Sequence, residues 1–295
     1  MTVKEARQDI ISSTGKIYDE SEAANIADLL LENISGLSKT DLILQKDFLL
    51  SENQEIQLTG AKLRLLNHEP IQYIINEAWF YGLQFYVDKS VLIPRPETEE
   101  LIESIISNIK FPIDSLKILD IGTGSGCIPI ALKRKLRKAE VWSCDISEKA
   151  LAVAKRNANG LGAEINFLHL DFLNEKETAN LPSFDIIVSN PPYVPERDKT
   201  TMHSNVLNYE PHTALFVPDN DALVFYKFIA AFAKKHLNKN GSIFLEIHEA
   251  YGNAVKNLFF NEGFPSVEIK KDMQEKDRIA FINLLGVMLN DHQKS

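Results

Sequence analysis

The distribution of apolar and polar positions divides the chain into two parts. Over about the first 75 residues, apolar side chains recur at the spacing of amphipathic helices in four successive segments, which predicts a small helical bundle. Thr2 and Glu5 have the spacing of a capping box before the first helix, and Gly36 is a typical end for the second. This part has no clustered histidines, cysteines or paired acids, so we interpret it as a packing or substrate-recognition domain.

Short apolar runs alternate with helical segments in the rest of the chain, which is typical of an α/β protein with a mostly parallel sheet. Aromatic and β-branched residues on both sides of Gly82 predict a β-hairpin. We therefore divide the chain into a helical domain (1–75), a hairpin connector (76–95) and a larger α/β domain (96–295). The sheet strands, the last two as an antiparallel pair at one edge, are predicted at 117–121, 140–144, 165–170, 184–188, 242–247, 267–269 and 279–284. A helix from Asp221 to Leu237, closed near Asn240-Gly241, and a long polar loop over 194–218 are also predicted.

Composition and charge narrow the class of protein. Hydrophobic residues make up 44% of the 295 residues and charged residues 25%, as in ordinary globular proteins. The net charge of −9 argues against broad DNA or RNA binding, which needs a basic surface. The two cysteines, Cys127 and Cys144, have neither metal-ligand nor disulfide spacing, and no apolar run approaches the ~18 residues of a membrane span. We expect a monomeric cytoplasmic protein with no bound metal.

A glycine-rich loop follows the predicted strand 117–121 and precedes a helix, an arrangement that lets a ligand approach the backbone closely. Cys127 stands where a dinucleotide-binding fingerprint has a glycine, and the Gly-Lys-Ser/Thr of a phosphate-binding loop is absent. The sequence therefore predicts an adenosine-like ligand without a clearly expected pyrophosphate. The loop residues are Gly122, Thr123, Gly124, Ser125 and Gly126.

Acidic residues follow the next two predicted strands. Asp145 lies about 20 residues beyond the glycines, where nucleotide-binding folds place an acid on the ribose hydroxyls. Asp171 can accept a hydrogen bond from an exocyclic amino group such as adenine N6, and Phe172 can line the pocket of the ring. These three residues complete the predicted adenosine site.

A stiff corner is predicted after the strand 184–188. Asn190 must be extended because it precedes a proline, and Pro191 and Pro192 cannot continue a sheet ladder. The side-chain oxygen of Asn190 and the carbonyl of Pro191 are two acceptors able to face one planar NH2 group, and the ring of Tyr193 can stack on it. This corner is suited to hold an amino group on an sp2 carbon.

These motifs together resemble the class I S-adenosylmethionine-dependent methyltransferases, and in particular the release factor glutamine methyltransferases of the HemK/PrmC family. The resemblance extends from about Glu69 to the C-terminus, with an N-terminal helical domain of fitting size. One departure is Asn76, where relatives commonly have glycine; asparagine tolerates a positive φ. The motifs that carry the resemblance are Glu69-Pro70-Ile71, Ile93-Pro94-Arg95-Pro96-Glu97-Thr98, the stretch 118–126, Asn190-Pro191-Pro192-Tyr193 and Tyr209-Glu210-Pro211.

The resemblance implies a seven-stranded, mostly parallel Rossmann-like methyltransferase sheet with an antiparallel edge strand. It also implies S-adenosylmethionine as the cofactor, with residues 122–126 near its methionine part, Asp145 on its ribose, and Asp171 with Phe172 at its adenine. The implied reaction is methylation of the amide nitrogen (N5) of the glutamine in the Gly-Gly-Gln loop of peptide chain release factors. Residues 190–193 would hold that amide, with Asn190 also beside the cofactor.

Two other functions are compatible with parts of the sequence. An N6-adenine DNA or guanine-N2 rRNA methyltransferase can hold a base amino group in the same corner, after flipping the base out of a duplex. The acidic net charge and the proline–arginine–proline stretch argue against this alternative. A non-catalytic S-adenosylmethionine-binding interaction protein is the second alternative, and the intact Asn190-Pro191-Pro192-Tyr193 corner argues against it.

Overall fold

A computed structural model describes residues 1–109 and 116–284. The predicted 96–295 domain therefore includes segments, 110–115 and 285–295, that lie outside the described residues. The helices are α1 (Val3–Thr14), α2 (Glu20–Ser35), α3 (Lys39–Leu44), α4 (Glu52–Leu66), α5 (Ile71–Ile75), α6 (Pro96–Asn108), α7 (Cys127–Lys135), α8 (Glu148–Gly160), α9 (Glu175–Thr178), α10 (Ser204–Tyr209), α11 (Val224–His236) and α12 (Gly252–Asn261). None of these helices is both long enough and apolar enough to cross a membrane.

The strands alternate with the helices from residue 78 onward. They are β1 (Ala78–Phe80), β2 (Leu83–Phe85), β3 (Lys117–Ile121), β4 (Glu140–Asp145), β5 (Asn166–His169), β6 (Phe184–Ser189), β7 (Val194–Pro195), β8 (Phe216–Val217), β9 (Leu237–Glu246), β10 (Ser266–Lys271) and β11 (Asp277–Asn283). The chain forms two compact units. The first contains residues 1–77 with 202–210, and the second contains residues 78–201 and those from 211 onward.

The first unit is a helical bundle whose helix starts are fixed by side-chain caps. Thr2 and Glu5 form the predicted capping box of α1, and Ser38 and Ser51 cap α3 and α4 in the same way. Gly36 ends α2 with a φ of 73°, as predicted. The buried faces of α1, α2 and α4 then pack into one apolar core.

An ion pair holds the last turn of this unit in place. The guanidinium of Arg64 donates two hydrogen bonds to the carboxylate of Glu69, at 2.8 and 2.9 Å, and a further one to the carbonyl of Tyr73 at 3.2 Å. The segment after Glu69 forms the short helix α5, which the sequence did not predict. That helix ends at Asn76 with a φ of 57°, the positive value that asparagine was expected to tolerate.

The second unit is organised by a seven-stranded sheet with the strand order β10-β11-β9-β6-β3-β4-β5. The strands β9, β6, β3, β4 and β5 are parallel, whereas β11 pairs antiparallel with both β9 and β10. The predicted antiparallel pair at one edge is therefore confirmed. Because the carboxyl ends of parallel strands meet at one edge, the loops after β3, β4, β6 and β9 converge there.

Apolar side chains cover both faces of this sheet because successive strand residues point to opposite sides. On one face, Ile118 and Val188 pack with the buried side chains of α6 and α7. On the other face, Leu119 and Ile187 pack with those of α11 and α12. Both faces are covered by helices, which explains why the strands read as continuous apolar runs in the sequence.

The hairpin of β1 and β2 forms as predicted, with Trp79 opposite Gln84. The structure differs from the prediction around Gly241, which the sequence suggested as the end of a helix. The helix α11 ends earlier, at His236, and β9 begins at Leu237. The pairing of β9 with β6 shifts register here, and a Cβ on Gly241 would lie 2.6 Å from the Leu237 side chain. Gly241 is therefore needed for close packing within an irregular strand rather than for a helix stop.

The segment 194–218, expected as a long polar loop, contains short regular elements. The strands β7 and β8 pair in parallel, with Val194 opposite Phe216. Between them lies α10, which belongs to the first unit, where the hydroxyl of Tyr209 donates a hydrogen bond of 2.7 Å to the carbonyl of Asn67. The prediction of a loop without regular structure was therefore wrong, because this segment forms short strands and short helices.

Candidate active site

The glycine-rich loop after β3 packs closely against helices at Gly126, whereas the space beside Gly122 and Gly124 is open. Gly122, Gly124 and Gly126 all have positive φ values, of 80°, 54° and 84°. A Cβ on Gly126 would lie only 3.0 Å from the Ile130 side chain and 3.1 Å from that of Ala154, so this glycine permits close packing against α7 and α8. Cβ atoms on Gly122 and Gly124 would meet nothing within 4 Å. The loop therefore turns open backbone toward the edge of the sheet where ligands bind.

Asp145, at the end of β4, connects this loop to the next one. One carboxylate oxygen accepts a hydrogen bond of 2.9 Å from the backbone N–H of Gly124, and the other accepts one of 2.8 Å from Ser147. Burial raises the pKa of this carboxyl above its ordinary value. Asp145 thus lies beside the glycine loop, as predicted, and its contact with a ribose stays a prediction.

Asp120 is a second carboxyl at the loop, and sequence reasoning did not identify it. Its side chain is fully buried at the end of β3, and one oxygen accepts a hydrogen bond of 2.7 Å from the hydroxyl of Ser143. The other oxygen and the hydroxyl of Thr123 are the buried side-chain atoms without a hydrogen-bond partner in the described part of the chain. Burial raises the pKa of Asp120 to about 7. The signal in the sequence is an acid inside an apolar strand, directly before the glycines.

Neither Asp120 nor Asp145 forms an ion pair with a lysine or arginine among residues 1–109 and 116–284. Two carboxyls whose pKa values are raised by burial thus lie beside the open glycine loop, and no lysine or arginine of the described residues pairs with either. Because a nearby positive charge favours the ionised form of a carboxyl, this site is suited to a ligand that carries a cation.

Asp171 and Phe172 follow β5 at the same edge of the sheet. Asp171 is half-buried, and its carboxylate accepts a hydrogen bond of 2.9 Å from the N–H of Leu173. Phe172 is 7% exposed, and its ring packs edge-on against Phe232 of α11, with the ring centres 5.2 Å apart. One side of this ring is thus part of the core, and the predicted contacts of both residues with an adenine stay predictions.

The corner after β6 presents the two acceptors that the sequence predicted. Ser189 ends the strand and donates a hydrogen bond of 2.7 Å to the carbonyl of Ile121, which ties the corner to β3. The Nδ2 of Asn190 donates a hydrogen bond of 3.1 Å to the hydroxyl of Thr98. Within the described residues, neither the Oδ1 of Asn190 nor the carbonyl of Pro191 accepts a hydrogen bond. A contact of these two oxygens with a substrate NH2 group stays a prediction.

Tyr193 and Thr98 share a buried carboxylate that sequence reasoning also missed. Glu246, at the end of β9, is 2% exposed and accepts a hydrogen bond of 2.7 Å from Thr98 and one of 3.0 Å from the Tyr193 hydroxyl. Burial raises the pKa of Glu246 and also that of Tyr193. Thr98 lies in the proline–arginine–proline motif, but nothing local in the sequence connects it to Glu246.

The described residues contain no group of three or more histidine, cysteine, aspartate or glutamate side chains able to hold a metal ion. The chemistry that this edge of the sheet offers is instead hydrogen-bond acceptance at Asn190 and Pro191 beside a loop with unneutralised carboxyls. Such a site can position an NH2 group next to a positively charged ligand.

Substitution Asp120→Asn should stabilise the ligand-free protein more at pH 8 than at pH 5.5. The folded-state pKa is raised, so the protonated carboxyl stabilises the fold at low pH, and this contribution is lost as the pH rises through about 7. The contribution is lost between the unfolded-state pKa of about 4 and the folded-state pKa of about 7, so roughly 1.5 units, or about 2 kcal/mol, is lost between pH 5.5 and pH 8, and an uncharged amide avoids this loss. Thermal unfolding at both pH values, with the exposed Asp47→Asn as control, measures this; equal effects at the two pH values would contradict it.

Known families and proteins match both parts of the chain. The Methyltransferase small domain family matches residues 98–213, and the PrmC N-terminal domain family matches residues 5–75. The catalytic domain of hMettl16, solved with an RNA hairpin, superposes with a TM-score of 0.53 over 80% of this chain and 84% of that one. Its sequence is 17% identical, so this likeness shows the methyltransferase fold alone.

Curated relatives match nearly the whole chain. The release factor glutamine methyltransferase of Flavobacterium psychrophilum is 43% identical over 96% of this chain and 99% of its own length. The release factor glutamine methyltransferase of Bacteroides thetaiotaomicron is 42% identical over 93% of this chain and 97% of its own length. These matches confirm the fold class and the resemblance that the sequence motifs indicated. The chain belongs to the release factor glutamine methyltransferase family.

Proposed function

We propose that this chain transfers the methyl group of S-adenosylmethionine to the side-chain amide nitrogen of the glutamine in the Gly-Gly-Gln motif of peptide chain release factors. The names of its relatives support the substrate. The observation that carries the reaction is the pair of oxygens at Asn190 and Pro191 that accept no hydrogen bond from residues 1–109 and 116–284. Methylation of DNA or rRNA is not favoured, because the full-length relatives are named for release factors.

The residues around the glycine loop fit the proposed cofactor. S-adenosylmethionine carries positive charge on its sulfonium and ammonium groups, and Asp120 and Asp145 supply negative charge with no lysine or arginine paired to either within 1–109 and 116–284. The open space beside Gly122 and Gly124 leaves room for the ligand against the backbone. We propose that Asp145 holds the ribose and that Asp171 with Phe172 holds the adenine.

The chain's own contribution to the reaction is positioning. An amide nitrogen is a poor nucleophile because its lone pair is delocalised into the carbonyl, so its orientation toward the methyl group decides the rate. The Oδ1 of Asn190 and the carbonyl of Pro191 accept hydrogen bonds from its two N–H groups, and Pro192 keeps the corner rigid. One of these two hydrogens leaves to solvent as a proton when the nitrogen is methylated. The ring of Tyr193 packs on the amide plane. The bound cofactor supplies a methyl group that is activated because it leaves a sulfonium.

We further propose that the helical unit, including the predicted 1–75 domain, recognises the release factor. Among the described residues, twelve large apolar side chains are exposed, and eight of them lie within residues 1–77. Ile43 and Leu44 are 71% and 75% exposed. Contiguous exposed apolar side chains mark interaction surfaces, and Ile43 and Leu44 are adjacent in the chain. A monomeric state and a cytoplasmic location stay predictions.

The proposed reaction is tested with methyl-labelled S-adenosylmethionine. Label should appear on a release factor but not on the same factor with its loop glutamine changed to alanine, nor on DNA or rRNA. The substitution Asn190→Ala should lower the rate about 100-fold or more, because the amide loses an acceptor that orients it. Asn166→Ala, at the opposite end of the sheet, is the matched control. Label on nucleic acid with none on the factor would refute the proposal.

Cofactor binding is tested with a pair of glycine variants. Gly124 and Gly162 have φ values of 54° and 62°, and a Cβ on either would meet nothing within 4 Å. Both changes to alanine should therefore cost a similar 1–2 kcal/mol of stability, roughly the strain of a left-handed residue. Only Gly124→Ala should raise the Kd for S-adenosylmethionine, by about tenfold or more, when measured by calorimetry. Equal Kd values for the two variants would exclude Gly124 from the cofactor site.

Release factor recognition is tested by removing exposed apolar side chains. The double variant Ile43→Ser, Leu44→Ser should raise the KM for full-length release factor by about tenfold, which corresponds to about 1.4 kcal/mol of lost apolar contact. Its Kd for S-adenosylmethionine should not change. The control is Phe260→Ser, because Phe260 is 67% exposed but lies in the other unit. An unchanged KM would argue against docking through this surface.

A further inference from the structure

We propose that Thr98 and Glu246 are positioning residues that fix the orientation of the Asn190 side-chain amide, so that its oxygen and not its nitrogen faces the substrate. The same carboxylate also fixes the ring of Tyr193. The inference deepens the proposed function and rests on it for its activity measurement, but the orientation itself is a property of the protein alone.

The inference follows from the direction of the hydrogen bonds that connect Asn190, Thr98 and Glu246. The hydroxyl of Thr98 has one hydrogen, and its oxygen lies 2.7 Å from a carboxylate oxygen of Glu246, which in its ionised form has no hydrogen to donate. Thr98 must therefore donate to Glu246, and its oxygen can then only accept from Asn190, 3.1 Å away. Only the Nδ2 of Asn190 can donate, so its Oδ1 points away from Thr98. The reversed amide would place two oxygens together without a hydrogen between them.

The second oxygen of Glu246 completes the arrangement. It accepts the hydrogen bond of 3.0 Å from Tyr193, so each carboxylate oxygen has one hydroxyl donor. Both side chains proposed to hold the substrate amide are thus anchored on one buried group that lies behind them. Burial has the largest effect on the pKa of Glu246 and raises it, whereas the two hydroxyl donors and Arg278 lower it. These donors also offset the cost of keeping a charge in this place.

The pairing of β9 with β6 places Glu246 beside the corner. Leu245 lies opposite Ser189, so Glu246, the next residue of β9, is level with the end of β6. Asn190 follows Ser189 directly, and Thr98 reaches the same point from the first turn of α6. Three separate segments therefore meet through side-chain hydrogen bonds at the corner. A carboxylate in this position has no contact with the substrate and acts only through Asn190 and Tyr193.

The activity test compares two substitutions of Thr98. Thr98→Val keeps the shape but removes the hydroxyl, and it should lower kcat for release factor methylation by about 30-fold or more, with less than a threefold change in KM. Thr98→Ser keeps the hydroxyl and should retain kcat within threefold. Tyr226→Phe is the control, because the Tyr226 hydroxyl donates to the backbone carbonyl of Glu246 and not to its carboxylate. Equal losses of kcat in the valine and serine variants would overturn the proposal.

A second variant reverses the proposed orientation with little change in the length of the side chain. In Glu246→Met, which has nearly the same length, no oxygen is left to accept the hydrogen of Thr98, and that hydrogen is then free to bind the Oδ1 of Asn190. The Asn190 amide should turn over and present its NH2 group to the substrate. We expect kcat to fall by about 30-fold or more while S-adenosylmethionine binding, measured by calorimetry, is retained. Wild-type kcat in Glu246→Met would overturn the proposal, even if Thr98→Val failed to fold.

A spectroscopic measurement tests the orientation without any turnover. In protein labelled with 15N-asparagine, the side-chain amide signals of Asn190 are identified by their loss in Asn190→Asp. One amide hydrogen should exchange with solvent at least tenfold more slowly in the wild type and in Thr98→Ser than in Thr98→Val. Equal exchange in all three proteins would overturn the proposal. If the wild type did not methylate a release factor, the proposed function would fail, and this exchange measurement would still decide the orientation.

Discussion

The parallel pairing of β9, β6, β3 and β4 is the constraint on which the rest of the site depends. Each strand contributes its final residue and the loop after it, and the shared direction brings these ends to one edge. The register places Ile121 level with both Cys144 and Ser189, and Ser189 level with Leu245. The glycine loop, Asp145, the Asn190 corner and Glu246 are therefore neighbours, although they are distant in the chain. A one-residue shift of any strand would turn its side chains to the opposite face.

The two buried carboxyls at this edge, those of Glu246 and Asp120, differ in how well hydrogen bonds compensate the free-energy cost of burying their charge. Glu246 has a hydroxyl donor on each oxygen, so its remaining cost is that of burial itself. Asp120 has a donor for one oxygen only, and the other is buried without a partner within the described residues. Burial is the largest of the effects that raise its pKa to about 7. Protein sites that must bind a cation retain such uncompensated charge, since neutralising it inside the protein would leave the ligand nothing to interact with.

How much of the fold and the site was predictable depends on the range of each interaction. The cap at Thr2 and the strand β3 depend on residues a few positions apart, and sequence patterns predicted both. The contact of Thr98 with Glu246 joins residues 148 positions apart, so no local pattern indicates it. The prediction at Gly241 was wrong for a related reason, because the role of this glycine depends on a register shift between β9 and β6.

A substrate that is a weak nucleophile makes rigid positioning more useful than a strong base. An amide nitrogen in its usual planar form gains little from a general base, because its lone pair stays in the carbonyl until the methyl group approaches. Two fixed acceptors can hold its hydrogens in the plane and leave the nitrogen turned toward the methyl group. An asparagine can do this only if its own amide cannot rotate, since the reversed form would present donors instead. A buried carboxylate that accepts from Thr98 removes this ambiguity, which is why an acid that never contacts the substrate belongs to the site.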